Sequence, residues 1–323
     1  MGRAGLGQGR TVHEHGLDNG RLRVAVWEYG ATLVEVSVPD GARRANLVVR
    51  LPDLAAYERK TDRAYVGSTM GRYARIVSSG TARIGGRPHR LARNAGEHHI
   101  HGGPDGFDAR VWDGRAEDGP DSGRIAMCLH SPHGDQGYPG NLRCTATFEL
   151  HTDDRLVVRY EAVTDRTTLC GPTLHAFWNL TGGREPVDRH LLRLNADALV
   201  EAGEEFVPTG RVLPVDGTPY DLRAERTLGA AALDGCVAVA PGPWTATLRV
   251  PGGARGLRLA TDQPGLAVYT GDHLPQPRAG VCLQPGPWPD APHHTAFPSA
   301  ELAPGAVYRS ETTYTFFQET RTG

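Results

Sequence analysis

A chain of 323 residues is long enough to bury a large core as one β-rich unit. Its 35 Lys+Arg against 37 Asp+Glu leave a formal net charge of -2 with no block of like charge. That balance argues against a nucleic-acid partner or an anionic membrane surface and favours a small neutral or weakly charged ligand. Lys60, the sole lysine, sits among charged residues, which disfavours Schiff-base chemistry. The five cysteines are scattered without CxxC spacing, so neither a disulfide framework nor a zinc knuckle is indicated and the expected location is cytoplasmic.

Residues 1–12 carry no apolar run of signal-peptide length and read as a disordered tail, with a single domain expected over 13–320. No later run is long and apolar enough to read as a membrane span. Short period-two segments then recur between Gly, Pro and Asp clusters, the pattern of antiparallel sheets. Strands are expected at 22–27, 32–38 and 125–130. The clearest is 142–151, where Leu142, Cys144, Ala146, Phe148 and Leu150 alternate with polar neighbours. Thr152-Asp153-Asp154 supplies turn chemistry before a return strand at 156–160. Further strands are expected at 190–194, 245–250 and 307–317. Helical patterns are confined to one or two turns near 54–58 and 228–233. The fold class is therefore all-β with very few short helices.

Five stretches carry a more specific signal. They are Gly71-Arg-Tyr-Ala-Arg-Ile76; Asn94-Ala-Gly-Glu-His-His-Ile-His-Gly-Gly103; Gly137-Tyr-Pro-Gly-Asn-Leu142; Thr173-Leu-His-Ala-Phe-Trp-Asn-Leu180; and Val268-Tyr-Thr-Gly271 followed by Pro289-Asp290 and Phe297-Pro-Ser299. In order and spacing they resemble the aldose 1-epimerase (galactose mutarotase) family. The resemblance implies a twisted antiparallel β-sandwich, a sugar or sugar-like substrate in an open cleft, no cofactor or metal, and a monomer or homodimer.

Exchanging the anomers of an aldose requires a base at the anomeric hydroxyl and an acid at the ring oxygen. By resemblance, His175 matches the acid, His101 a histidine bonded to the same region, and Asp234 a carboxylate that grips sugar hydroxyls; histidine suits the acid role because it titrates near neutrality. Asn94 and Trp288 are further candidates for substrate contact, Trp288 because two prolines flank it in an expected loop. Trp178, Tyr269 and Phe107 are open to either stacking on a ring or filling the core. Asp234 is also open to a plainer reading, as the end of the turn at 228–233. His98, His99, His101, His293 and His294 are rich in imidazole, but no spacing completes a metal site.

Two positions depart from the family pattern. Leu283-Gln-Pro-Gly-Pro-Trp-Pro-Asp290 places Gln284 where the pattern has its basic glutamate, and an amide accepts no proton. The arginine of the pattern's Asn-Arg pair is either lost or displaced by one residue onto Arg75, which on a regular strand would reverse its face. Possible substitute bases are Glu97, His99, Asp272 and Asp290. The sequence thus leaves three readings open: a mutarotase-like enzyme with a diverged reaction such as cyclisation, elimination or epimerisation, an ordinary epimerase with a relocated base, and a non-catalytic carbohydrate-binding protein.

Overall fold

The computed structural model describes residues 3–5, 11–59, 64–119, 121–252 and 255–318. Nine strands form the largest sheet, in the order Arg226–Thr227, Leu191–Leu194, Ala246–Arg249, Gly256–Thr261, Tyr308–Phe317, Arg155–Thr164, Leu142–His151, Ser122–Ser131, Asp113–Asp118. Within strand Leu142–His151 the expected alternation holds: Leu142, Cys144, Ala146, Phe148 and Leu150 are buried and their neighbours are not. A one-residue slip would expose Leu142, Phe148 and Leu150 together, each worth about 1.5–3 kcal/mol on burial, so the register is fixed by the core.

Opposite lie a five-stranded sheet that includes Arg23–Trp27 and Thr32–Asp40, and a six-stranded sheet ordered Phe177–Trp178, Val281–Gly286, Gly265–Tyr269, Asp234–Ala238, Ala198–Ala202, Pro208–Pro214. One hydrophobic cluster joins Phe148 and Leu150 of the first sheet to Val24 and Val36 of the second and Val237, Leu266, Val268, Val281 and Leu283 of the third. The six-stranded sheet is thus one-sided toward the core. Its alternate residues, Cys236, Ala267, Tyr269, Cys282 and Gln284, face away and become the floor of a cleft.

Helix is nearly absent, as expected. The single turn Leu54–Glu58 forms where predicted, capped by Asp53 accepting from the Ala56 N–H. The expected turn at 228–233 does not form: Leu228 and Leu233 are buried in the main cluster, and Asp234 begins a strand rather than ending a helix. Core anchoring of both leucines overrides a weak local pattern.

The N-terminal boundary also shifts. Thr11 and Val12, placed in the tail by composition, open strand Thr11–Asp18, where Val12 is buried; Arg3–Gly5 pairs with this strand, while 1–2 and 6–10 lie outside the described residues. The scattered apolar residues of this glycine- and arginine-rich flank show no periodicity to read. Lys60 also lies outside the described residues. Among the described residues, no helix is long and apolar enough to cross a membrane.

His190 illustrates how burial constrains stability. It is almost fully enclosed, its Nε2 accepts the Leu180 N–H at 3.0 Å, and burial pushes its pKa down to about 4. Protonation would remove that acceptor. Its contribution is therefore fully present above the unfolded-state value near 6.5 and is lost as pH falls from about 6.5 toward 4. Urea midpoints should drop over this window, and His190→Gln, which keeps an acceptor without titrating, should flatten the slope by up to about 1.4 kcal/mol per pH unit. An unchanged slope would contradict the burial argument.

Candidate active site

A cleft of about 540 Å³ opens on the outer face of the six-stranded sheet. Sheet register builds its floor. Asp234 lies opposite Tyr269 and Tyr269 opposite Cys282; one step along, Cys236 lies opposite Ala267 and Ala267 opposite Gln284. Both rows point the same way because antiparallel partners share a face. The walls come from the loops carrying Tyr65, Arg75, His98, His101 and Phe206.

The two histidines meet here from distant parts of the chain, with ring centroids 5.2 Å apart and planes at 89°. His175 follows the short strand Thr173–Leu174, and its Nδ1 lies 3.6 Å from Cys282 Sγ, which leaves Nε2 for the cleft. Burial is the main reason its pKa lies well below the ordinary histidine range, with His101 and Arg75 adding to the effect. His101 Nδ1 faces the Ala74 carbonyl oxygen at 2.8 Å and must therefore donate, so Nε2 of the neutral ring is an acceptor. Burial in the cleft wall pushes its pKa down to about 4, against the opposing pull of the Ala74 bond. Both imidazoles are thus neutral near pH 7 in the free protein, and the edge of Tyr65 stacks against His101 at 4.8 Å.

Arg75 reaches the same cleft and is 5% exposed. The segment around it is irregular rather than a regular strand, so a one-residue displacement does not force its side chain to the other face. Its Nε donates to Pro287 O at 3.0 Å, Nη2 to Gln284 O at 2.7 Å, and Nη1 to Gln284 Oε1 at 2.5 Å. Because Oε1 accepts from a guanidinium, the orientation of the amide is defined: Gln284 Nε2 points elsewhere, buried and without a partner.

Asp234 opens to the cleft. Its carboxyl is raised from the ordinary value chiefly by the surrounding wall, with His273 opposing and Asp272 reinforcing. At the mouth, His98 Nε2 pairs with Glu205 at 2.7 Å beside Phe206, whose side chain is largely exposed.

Two expected contacts are elsewhere. Asn94 is absent from the cleft lining; it closes its own loop, donating to Ile100 O and accepting from Ile100 N, while Ala95 and Gly96 line the cleft. Trp288 donates to Pro264 O and packs on Phe297 at 4.9 Å, because its indole N–H needs a buried acceptor. Trp178 and Phe107 fill the core, whereas Tyr269 faces the cleft. Sequence reasoning missed Tyr65, His273, Cys236 and Cys282 as cleft residues; period-two counting from Asp234 and Gln284 would have found the last two.

The candidate substitute bases are occupied outside the cleft lining. Glu97 pairs with Arg93; His99 is fully buried between Ala92 O and Tyr138 Oη; Asp272 binds Thr270 and Arg278; Asp290 accepts from Ser78 N and contacts His293.

A sandwich of this topology with this cleft is the galactose mutarotase-like fold. The structure of galactose 1-epimerase from Lactobacillus acidophilus superposes with a TM-score of 0.88 at 27% identity, covering 98% of both chains, and the aldose epimerase homologue from C. elegans gives 0.88 at 25% identity, covering 96% of this chain and 100% of its own. In sequence, galactose mutarotase of Sus scrofa is 32% identical over 95% of this chain and 94% of its own length, and maltose epimerase of Levilactobacillus brevis 31% identical over 85% and 86%. The family model for aldose 1-epimerase matches residues 14–315. The chain belongs to the aldose 1-epimerase family and is an enzyme of isomerase type.

The position of His101 depends on Gly102. This residue has φ +91°, and a Cβ there would lie 1.7 Å from Gly71 O. Gly102→Ala should therefore destabilise by more than the about 1–3 kcal/mol of backbone strain alone. Gly86→Ala, at φ +75° with open space around it, isolates the strain component. Equal losses of the two variants in urea unfolding would show that the contact with Gly71 is irrelevant.

Proposed function

We propose that the protein isomerises a sugar or sugar-like ring at its hemiacetal or carbonyl centre, with His175 and His101 as the acid–base pair and Asp234 as an acceptor for ring hydroxyls, within one sandwich domain over 13–320. The observation that carries this reading is the convergence of the two imidazoles in one cleft, each with Nδ1 engaged and Nε2 available. Two neutral rings at this spacing can pass a proton to and from adjacent oxygens of a hemiacetal. A pure binding protein has no need of such a pair.

The reaction differs from plain aldose mutarotation in its base. Gln284 stands where the family pattern has glutamate, and its carbonyl oxygen is held by Arg75, so it offers no proton acceptor. The positions of Glu97, His99, Asp272 and Asp290 offer no replacement. Cyclisation, elimination or epimerisation of a biosynthetic intermediate is compatible with what remains. One observation favours the alternative of ordinary mutarotation: the Asp234 carboxylate lines the same cleft as the two histidines.

The loss of optical rotation of freshly dissolved α-glucose and α-galactose separates the two. Wild type should scarcely exceed buffer, and Gln284→Glu should exceed wild type by about 10²-fold or more. Acceleration by wild type that falls sharply in Asp234→Asn would establish the alternative. On the true substrate, His175→Ala should lose about 10²–10⁴-fold in rate; full turnover by that variant would overturn the assignment of the acid–base pair.

A further inference from the structure

Among the described residues, Arg75 is a buried cation without an anionic partner. Its three protein acceptors are the Pro287 and Gln284 carbonyls and the Gln284 amide oxygen, all formally neutral. No carboxylate forms an ion pair with it among the described residues. Asp234 lies two strands away from the strand carrying Gln284, roughly 10 Å or more across the sheet at ordinary strand spacing. Leaving a buried charge uncompensated costs several kcal/mol, and a bound anion would offset that cost.

Beside this cation sits a second unmet group. Gln284 is 3% exposed, lines the cleft, and its Nε2 has no hydrogen-bond partner. The guanidinium uses three of its five N–H donors on the protein, so donors remain on it as well. A charged and a neutral donor side by side suit a planar, two-oxygen acceptor, the geometry of a carboxylate.

The location within the cleft specifies which carboxylate. Gln284 is two residues along the strand, on the same face, from Cys282, the residue in contact with His175. The receptor thus adjoins the centre on which the two imidazoles act.

We propose that Arg75 and Gln284 together bind a carboxylate borne on the anomeric carbon itself, so that the substrates are ring-closed 2-ulosonic acids rather than neutral aldoses. This rests on the assignment of His101 and His175 to the hemiacetal centre. It also gives the missing glutamate a consequence: a glutamate at position 284 would neutralise Arg75 and repel such a substrate, whereas the glutamine admits it. Arg75 is among the charges that disfavour protonation of both histidines in the free cleft, and a bound anion counters that effect, favouring their acid form when substrate is present.

The test is binding, measured calorimetrically without turnover, so that its failure is separable from failure of the acid–base assignment. 2-Keto-D-gluconate and D-fructose form a matched pair that differ only in carboxylate against hydroxymethyl on the anomeric carbon. Wild type should bind the acid at least about tenfold more tightly, the worth of one hydrogen bond to a charged group. Gln284→Glu, which places a fixed anion beside Arg75, should abolish that preference. D-Glucuronate, with its charge at the far end of the ring, should show no such advantage over D-glucose. Equal affinity of wild type for the matched pair overturns the proposal, as does a preference that survives in Gln284→Glu. Equally tight binding of D-glucuronate or inorganic phosphate would overturn the carboxylate position and leave only a general anion site.

Discussion

The two-sidedness of the strand Val281–Gly286 is the constraint on which the rest of this structure depends. Val281 and Leu283 are inserted in the main core, and because side chains alternate, Cys282 and Gln284 must face the cleft. The same alternation in Gly265–Tyr269 and Asp234–Ala238 places Tyr269, Asp234 and Cys236 beside them. Chemistry is thus coupled to packing. A register slip would exchange apolar anchors for cleft residues, and the buried area lost forbids it.

A rigid floor leaves positioning of the remaining groups to loops, and these are held by local hydrogen bonds. His101 is fixed through Ala74, its loop is closed by the reciprocal bonds of Asn94 with Ile100, and Arg75 is anchored on backbone carbonyls near Gln284. Such bonds are individually worth about 0.5–1.5 kcal/mol. Their number, rather than any single one, sets the geometry of the histidine pair. Asn94 therefore contributes to the site from behind, by closing the loop that delivers His101.

Electrostatics in the cleft follow from enclosure. Both imidazoles are kept neutral, and the thiols of Cys236 and Cys282 are pushed up and keep their protons. Each shift has burial as its main cause. Within the cleft lining Arg75 is a charge held among neutral acceptors, which makes the sign of the cleft near the histidines sensitive to whatever ligand arrives.

Much of the fold was legible in the chain. Period-two alternation located the principal strands, with 142–151 correct to the residue, and the scarcity of helical periodicity gave the all-β class, since these signals need only local side-chain direction and the chain's own apolar residues. The family motifs pointed to His101, His175 and Asp234, and left the arginine either lost or displaced onto Arg75, which lines the same cleft. Local pattern failed where long-range packing decided: at Leu228 and Leu233, drawn into the core instead of a helical turn; at Val12, captured by a strand edge; and at Trp288, turned away by the need of its N–H for Pro264 O. The partners of Gln284 were likewise invisible, because its amide meets a guanidinium 209 residues distant in the chain. Residue types and alternation belong to the sequence, whereas which buried group is left without a partner is decided only when remote segments are brought together.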